Sequence, residues 1–234
     1  DTPTIPAGAD NLAYRAAAQF AAHYGAIHAV SIHIEKGIPA GTGLGGGSSD
    51  AAAVLWQLNQ ILGAPFSQNA LVQRGAQLGA DIPFFLYGCP ARVQGVGEQV
   101  TPISLPTPWP YLVLCHAGEG LSTKEVYARV RCTLTTAEPD SNISKFVRGD
   151  GALTSVLVND LEVAAASMLP AIHACQARLR ALGASDVLMT GSGAAVYGLW
   201  SQMPAAEEAV HQLQQEGMWA AAVQILPVSP AQHV

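Results

Sequence analysis

Residues 38–50 read Ile-Pro-Ala-Gly-Thr-Gly-Leu-Gly-Gly-Gly-Ser-Ser-Asp, and no other stretch constrains the fold as tightly. Five glycines in the seven positions from Gly41 to Gly47 allow backbone angles that other residues resist. Several main-chain N–H groups can then approach one anion. Before the loop, Val30, Ile32 and Ile34 alternate with Ser31, His33 and Glu35, which predicts a strand. After it, Ser48, Ser49 or Asp50 is expected to cap a helix through Ala51–Leu58. Strand, glycine loop and helix N-terminus together hold a phosphate well, because free N–H groups and the positive end of the helix dipole face the anion.

Other readings of the loop compete. A Walker A loop needs a Lys and a Ser/Thr directly after its last glycine, and no Lys follows here. The dinucleotide fingerprint matches formally over Gly41–Gly46. Its acidic residue, expected about 20 positions on, is missing, since the chain there reads Gln60-Ile61-Leu62-Gly63. A flexible surface loop would not carry Pro39, Leu44 and a capping serine pair in so ordered a setting. Phosphate binding is the reading that uses all of these features.

Composition narrows the class. The 234 residues suffice for one large or two small domains. No apolar run approaches the roughly 20 residues needed to span a membrane, and no secretory signal is visible. Lys plus Arg total 11 against 17 acidic residues, a net charge of −6, which argues against a nucleic-acid partner. Cys89, Cys115, Cys132 and Cys175 show no C-x-x-C pair, and the seven histidines show no ligand spacing. No metal site and no disulfide scaffold are expected, and a reducing cytoplasm is the simpler setting.

A second motif is Leu78-Gly79-Ala80-Asp81-Ile82-Pro83-Phe84-Phe85-Leu86, after an expected helix over 67–78. Asp81 sits among apolar residues, where a carboxylate costs free energy unless paired or used. It is a helix cap, a salt-bridge partner of Arg74, or a general base beside a phosphate loop. Pro102, Pro106, Pro108 and Pro110 then mark a linker, dividing the chain into domains 1–108 and 109–234. Beyond it come an expected strand at Tyr111–Leu114 and the run Gly118–Tyr127. Val158-Asn159-Asp160-Leu161-Glu162 opens a helix, with Asn159 and Asp160 structural. A third motif, Ser185 to Leu199, places Thr190-Gly191-Ser192-Gly193 between two apolar strands. Alone it would be a tight turn.

Lys36 to Ala52 resembles the ATP-phosphate loop of the GHMP kinases. The Gly-Ala-Asp-hydrophobic-Pro segment and the Gly-Ser-Gly turn are similar to that family's second and third motifs, in the right order. The triple glycine with Ser-Ser-Asp-Ala-Ala resembles the branch whose acceptor is a cytidine diphosphate-linked methylerythritol. The resemblance implies an α+β fold of two domains, the first like the second domain of a small-subunit ribosomal protein and the second ferredoxin-like. It implies a cytoplasmic small-molecule kinase using ATP and Mg²⁺. Lys36, Pro39, Gly41, Gly43, Leu44, Gly45, Gly46, Gly47, Ser48 and Ser49 would hold ATP, and Asp81 would be the catalytic base. Asn11 is either a helix cap or a contact by the adenine pocket. Tyr127 either packs at the start of a helix or stacks on cytosine. Thr190, Gly191 and Ser192 would close over the phosphates and the acceptor, and the Gly95-Val96-Gly97-Glu98 turn would be structural. Homoserine- or mevalonate-type kinases and a catalytically silent nucleotide-binding module are the alternatives. A Pro-Ala-Lys-Ile-Asn-type strand that opens these kinases does not occur here, so the first domain is expected to be incomplete at its start.

Overall fold

The first α-helix among the described residues is amphipathic, with small residues on its buried side. The computed structural model describes residues 5–25, 29–116, 118–130, 140–150, 153 and 156–229. His28, Cys132, His233 and part of the polar stretch 133–151 lie outside these. Two units divide the chain: Asp1–Ile38, Gly45–Ser104 and Leu226–Val234 form the first, Pro39–Leu44 and Leu105–Ile225 the second. Neither is contiguous, and the glycine loop contributes residues to both.

In the first unit, α1 (Leu12–Tyr24) starts where the Asn11 side chain accepts from Ala13 N and stops at Gly25 in the left-handed region. It buries Ala16, Ala17 and Phe20 in one cluster with Ala51, Ala52, Leu55 and Leu58 of α2 (Gly46–Ile61), and Ala13 is buried too. Alanines on both helices permit close approach, and Phe20 adds an edge-on contact with Phe66 at 5.1 Å, worth about 0.5–1.5 kcal/mol. The helix α3 (Gln68–Leu78) is capped by Ser67, and Gly75 lets it close on Ile82 of α4 (Ile82–Tyr87). A hairpin of β1 (Ala91–Gln94) and β2 (Gln99–Pro102) completes the unit.

The expected strand at residues 30–34 does not form. Those residues form no regular element and are mostly exposed, with Val30 and Ile32 facing solvent. A strand exists only through a ladder partner, and among the described residues none pairs with this segment.

The second unit is built on β3 (Tyr111–His116). After it come α5 (Thr123–Arg129), α6 (Asp140–Val147), α7 (Glu162–Met168) and α8 (Ala171–Ala181). Then follow β4 (Val187–Met189), β5 (Ala195–Trp200), α9 (Met203–Gln215) and β6 (Trp219–Gln224). The sheet order is β4-β5-β3-β6, antiparallel throughout, the split βαβ arrangement of a ferredoxin-like domain. Val113 and Cys115 of β3 join Val196, Trp200 and Ala220 in a core closed by Ile172, Leu179 and Leu213 from the helices. Leu112, Leu114 and His116 alternate onto the opposite face. The strands expected at 111–114 and flanking the third motif are therefore present. Cys89, Cys115 and Cys175 are free thiols. No helix among the described residues is long and apolar enough to cross a membrane.

Candidate active site

In the first unit the site begins at the start of α2. Gly45 takes φ 71° and the helix starts at Gly46 with no side-chain cap. Ser48, Ser49 and Asp50, expected as caps, instead lie within the first turn and a half. The left-handed Gly45 starts the helix three or four residues earlier than a cap at Ser48 or Ser49 would allow. The first intrahelical bond runs from Ser49 N to Gly45 O at 2.9 Å. Ahead of it the N–H groups of Gly46, Gly47 and Ser48 are not claimed by any side-chain cap, and no Cβ at 46 or 47 shields them. Phe85 backs Gly45 so closely that a Cβ there would lie 2.8 Å from the ring.

Lys36 enters this corner as a cation. Its Nζ lies 3.6 Å from where a Cβ of Gly46 would stand, and it is ion-paired with Asp50. A cation beside a helix N-terminus opposes the dipole, so the position makes electrostatic sense for a ligand that is an anion. Asp50 offsets the charge meanwhile.

Asp81 occupies the position before α4 but caps nothing, and its side chain is exposed. It has no hydrogen-bond or ion-pair partner among the described residues. The apolar wall expected around it is absent, because Ile82 and Pro83 turn inward as α4 begins and leave Asp81 in solvent. The Arg74 salt bridge is absent too, since Arg74 donates to Ala70 O at 3.0 Å and lies 4.0 Å over the Phe66 ring. Both structural explanations of Asp81 thus fail. Gly79, two residues before it, passes beside Ser48: a Cβ there would be 3.9 Å from Ser48 Oγ. The chain just ahead of Asp81 therefore runs beside the first turn of α2.

The Gly95–Glu98 turn supports this segment from behind. A Cβ at Gly97 would meet Ala80 O at 2.1 Å, so only glycine allows the hairpin to lie against the residue preceding Asp81. Glu98 braces the turn by accepting from Val96 N at 2.8 Å and Gln99 Nε2 at 3.2 Å. Its own and Val96's backbone N–H groups hold its carboxyl below the usual carboxylate range.

In the second unit, Pro39–Leu44 lies along the third motif. Gly41 O accepts from Ala194 N at 2.9 Å, and Thr42 O accepts from Ala195 N at 3.3 Å. Thr190, buried, donates its Oγ1 to Thr42 O at 2.5 Å. Gly41 and Gly43 have φ 72° and 69°. A Cβ at Gly41 would strike Gly120 Cα at 2.7 Å.

Ser192 Oγ is 2.8 Å from Thr123 Oγ1, joining the third motif to the start of α5, which Ser122 caps. Of the expected substrate residues, Thr190 thus has its hydroxyl engaged with the glycine loop and Ser192 has its hydroxyl on Thr123. Tyr127, on α5, is 61% exposed. Asn11 has both ends of its amide engaged, Oδ1 accepting from Ala13 N and Nδ2 donating to Pro6 O. Its capping role is the one the geometry displays.

Sequence reasoning passed over three participants. Asn159 and Glu162 brace the third motif, and Asp50 pairs with Lys36 rather than capping α2. Only the Asn159-Asp160-Leu161-Glu162 run carried a signal, since an amide and a carboxylate ahead of a helix can serve more than that helix.

The profile of the GHMP kinases N terminal domain matches residues 11–89, and that of the GHMP kinases C terminal matches residues 142–218. The 4-diphosphocytidyl-2-C-methyl-D-erythritol kinase of Syntrophotalea carbinolica is 40% identical over 222 residues, which cover 94% of this chain and 78% of that protein. The protein of the same name from Geobacter metallireducens is 38% identical over 216 residues, covering 92% and 75%. A crystal structure of 4-(cytidine 5'-diphospho)-2C-methyl-D-erythritol kinase superposes with a TM-score of 0.75 at 38% identity, covering 93% of this chain and 79% of that one. A homoserine kinase from Cytophaga hutchinsonii shares the fold, with a TM-score of 0.72 at 17% identity.

Proposed function

The chain belongs to the GHMP kinase family, and from that premise we propose that it transfers the γ-phosphate of ATP to a hydroxyl of 4-diphosphocytidyl-2-C-methyl-D-erythritol. The observation that carries the chemistry is the α2 N-terminus. It is uncapped, stripped of Cβ atoms at Gly46 and Gly47, and faced by Lys36. That corner offers N–H donors, a dipole and a cation to a polyphosphate.

Phosphoryl transfer asks the protein mainly for positioning and charge stabilisation. In this reading the Gly41–Ser49 loop and Lys36 hold the triphosphate. Asp81 accepts the proton of the acceptor hydroxyl as its oxygen bonds to the γ-phosphorus, and ADP leaves with the electron pair of the broken P–O bond. An exposed carboxylate without a partner is free to receive that proton.

Mg²⁺ would offset the phosphate charge. This ion is usually held by substrate phosphates with few protein ligands. The described residues contain no group of three or more ligating side chains, and the Ser48 and Ser49 hydroxyls are the oxygens at hand on the first turn of α2. That donor set fits an ion carried in on the nucleotide. Tyr127, exposed on α5, would stack on the cytosine ring. A cytoplasmic setting supplies ATP and keeps the free thiols reduced.

The test is ADP release with ATP and, in turn, the cytidine diphosphate-linked methylerythritol, homoserine and mevalonate, beside titration of a fluorescent ATP analogue. Turnover with the first acceptor alone is the expected result. Turnover with another acceptor would overturn the substrate assignment, and nucleotide binding without any turnover would overturn the kinase reading.

A further inference from the structure

We propose that Asn159 is a positioning residue of the nucleotide site, setting the conformation of Gly41–Gly43 through the turn that holds Thr190. The inference rests on the kinase reading above but concerns a residue that lies outside all three motifs.

Asn159 precedes α7 and uses its whole amide. Nδ2 donates to Met189 O at 2.9 Å and to Gly191 O at 2.8 Å, while Oδ1 accepts from Leu161 N at 3.0 Å. The two carbonyls belong to the residues on either side of Thr190. Holding both fixes the peptide planes that flank it. Glu162 adds a third restraint by accepting from Met189 N at 3.0 Å. Thr190 then transmits the constraint, because its Oγ1 bonds Thr42 O, and the following Ala194 and Ala195 N–H groups bond Gly41 O and Thr42 O.

The contact between turn and loop leaves no slack. A Cβ at Gly191 would lie 2.5 Å from Gly43 O, and one at Gly43 would lie 2.4 Å from Thr190 O. A shift of the turn must therefore displace the loop. A residue with two donors at one side-chain nitrogen is needed to hold two carbonyls at once, and asparagine supplies this where aspartate and serine cannot. Helix capping alone would require only the acceptor on Leu161 N.

The test uses Asn159→Asp in the full chain. This near-isosteric change keeps the acceptor, removes both donors and sets a carboxylate against two carbonyl oxygens. At about pH 7.5 we expect affinity for a fluorescent ATP analogue to fall about tenfold or more, measured well below the melting temperature. The facing carbonyls favour the protonated acid, which can donate to one of them, so the defect should shrink as pH falls towards about 5.5. A purely structural role would lower the melting temperature and leave the affinity of the folded protein within about threefold, and that result would overturn the proposal. If Asn159→Asp does not fold, Thr190→Val cuts the next link, and unchanged affinity in that variant would overturn it equally. Should the unmodified chain fail to bind the nucleotide, the kinase reading itself falls; binding by the unmodified chain with no loss in either variant refutes the positioning role alone.

Discussion

Gly43→Ala tests most directly whether the glycine loop must dock on the third motif. Gly43 has φ 69°, and a Cβ there would lie 2.4 Å from Thr190 O, 2.8 Å from Gly193 N and 2.9 Å from Gly193 O. All three neighbours are backbone atoms, so no rotamer change can relieve the collision. The left-handed conformation costs a residue with a Cβ roughly 1–2 kcal/mol. Overpacking against atoms that can move only with the backbone typically adds about 1–3 kcal/mol. The docked loop is therefore destabilised by about 2–5 kcal/mol, and at about 1.4 kcal/mol per tenfold this is a loss of roughly 30-fold to several thousand-fold in affinity for whatever the docked loop binds.

Gly63→Ala separates strain from docking. Gly63 has φ 79° but nothing stands within 4 Å of its Cβ position, so the substitution meets only the conformational cost. At roughly 2–4 °C per kcal/mol for a chain of this size, it should lower the melting temperature by about 2–8 °C and leave nucleotide affinity alone. The assay is titration of a fluorescent ATP analogue into both variants, with thermal melts to show that each is folded. If folded Gly43→Ala binds within about threefold of the parent, the loop does not need its docked form to bind phosphate, and the reasoning fails.

Three further outcomes follow from the same geometry. Asp81→Asn should leave ATP affinity within a few-fold while reducing kcat by about 10² or more, read by ADP release; a variant turning over near the parental rate would remove Asp81 from the chemistry. Lys36→Met should weaken nucleotide binding by about tenfold, and Asp50→Asn should change affinity in the parent yet have no effect in the Lys36→Met background, because the Asp50 carboxylate acts on the ligand through Lys36; equal effects in both backgrounds would refute the coupling. Burial pushes the His116 imidazole below its ordinary value, so the unfolded chain binds more protons there and stability, full above about pH 6.5, is lost as pH falls below it; melts between about pH 7.5 and 5.5 should show a slope that flattens in His116→Gln, and an unchanged slope would assign the acid sensitivity elsewhere.

What could be read from the sequence was what depends on local chemistry. The α3 helix expected over 67–78, Asn11 before α1 and the strands either side of the Gly-Ser-Gly turn were all legible, because caps and apolar runs report on their own neighbourhood. Residues 30–34 were not, since their alternation suits a strand but a ladder needs a partner that no periodicity names. Asp81 was read rightly as unusual but for the wrong reason. Its neighbours in sequence are apolar, yet α4 begins at Ile82 and rotates them away, so the carboxylate is exposed. For Asn159 the run 159–162 signalled only a helix start with polar groups to spare, and its partners, 30 and 32 residues downstream, are named by nothing local.

The glycine loop shows how a single run of one residue type can answer two physical demands. Gly41, Gly43 and Gly45 alternate with Thr42 and Leu44, and these three are the loop glycines with positive φ. Their spacing reflects a chain that turns at every second residue, and between the first two the Thr42 side chain is buried. Gly46 and Gly47 are contiguous and helical, and neither needs positive φ. At those positions the missing Cβ matters for access instead, keeping the first N–H groups of α2 bare to an anion. A β-branched residue at 46 should therefore act by crowding Lys36 and the phosphate, not by straining the backbone, and at 43 the order of effects reverses. Comparing Gly46→Ala with Gly43→Ala in the same titration distinguishes the two demands: the helical position should tolerate alanine with a loss of no more than about tenfold, while the turn position should not. Equal losses at both would mean that backbone conformation and ligand access are not separable along this loop.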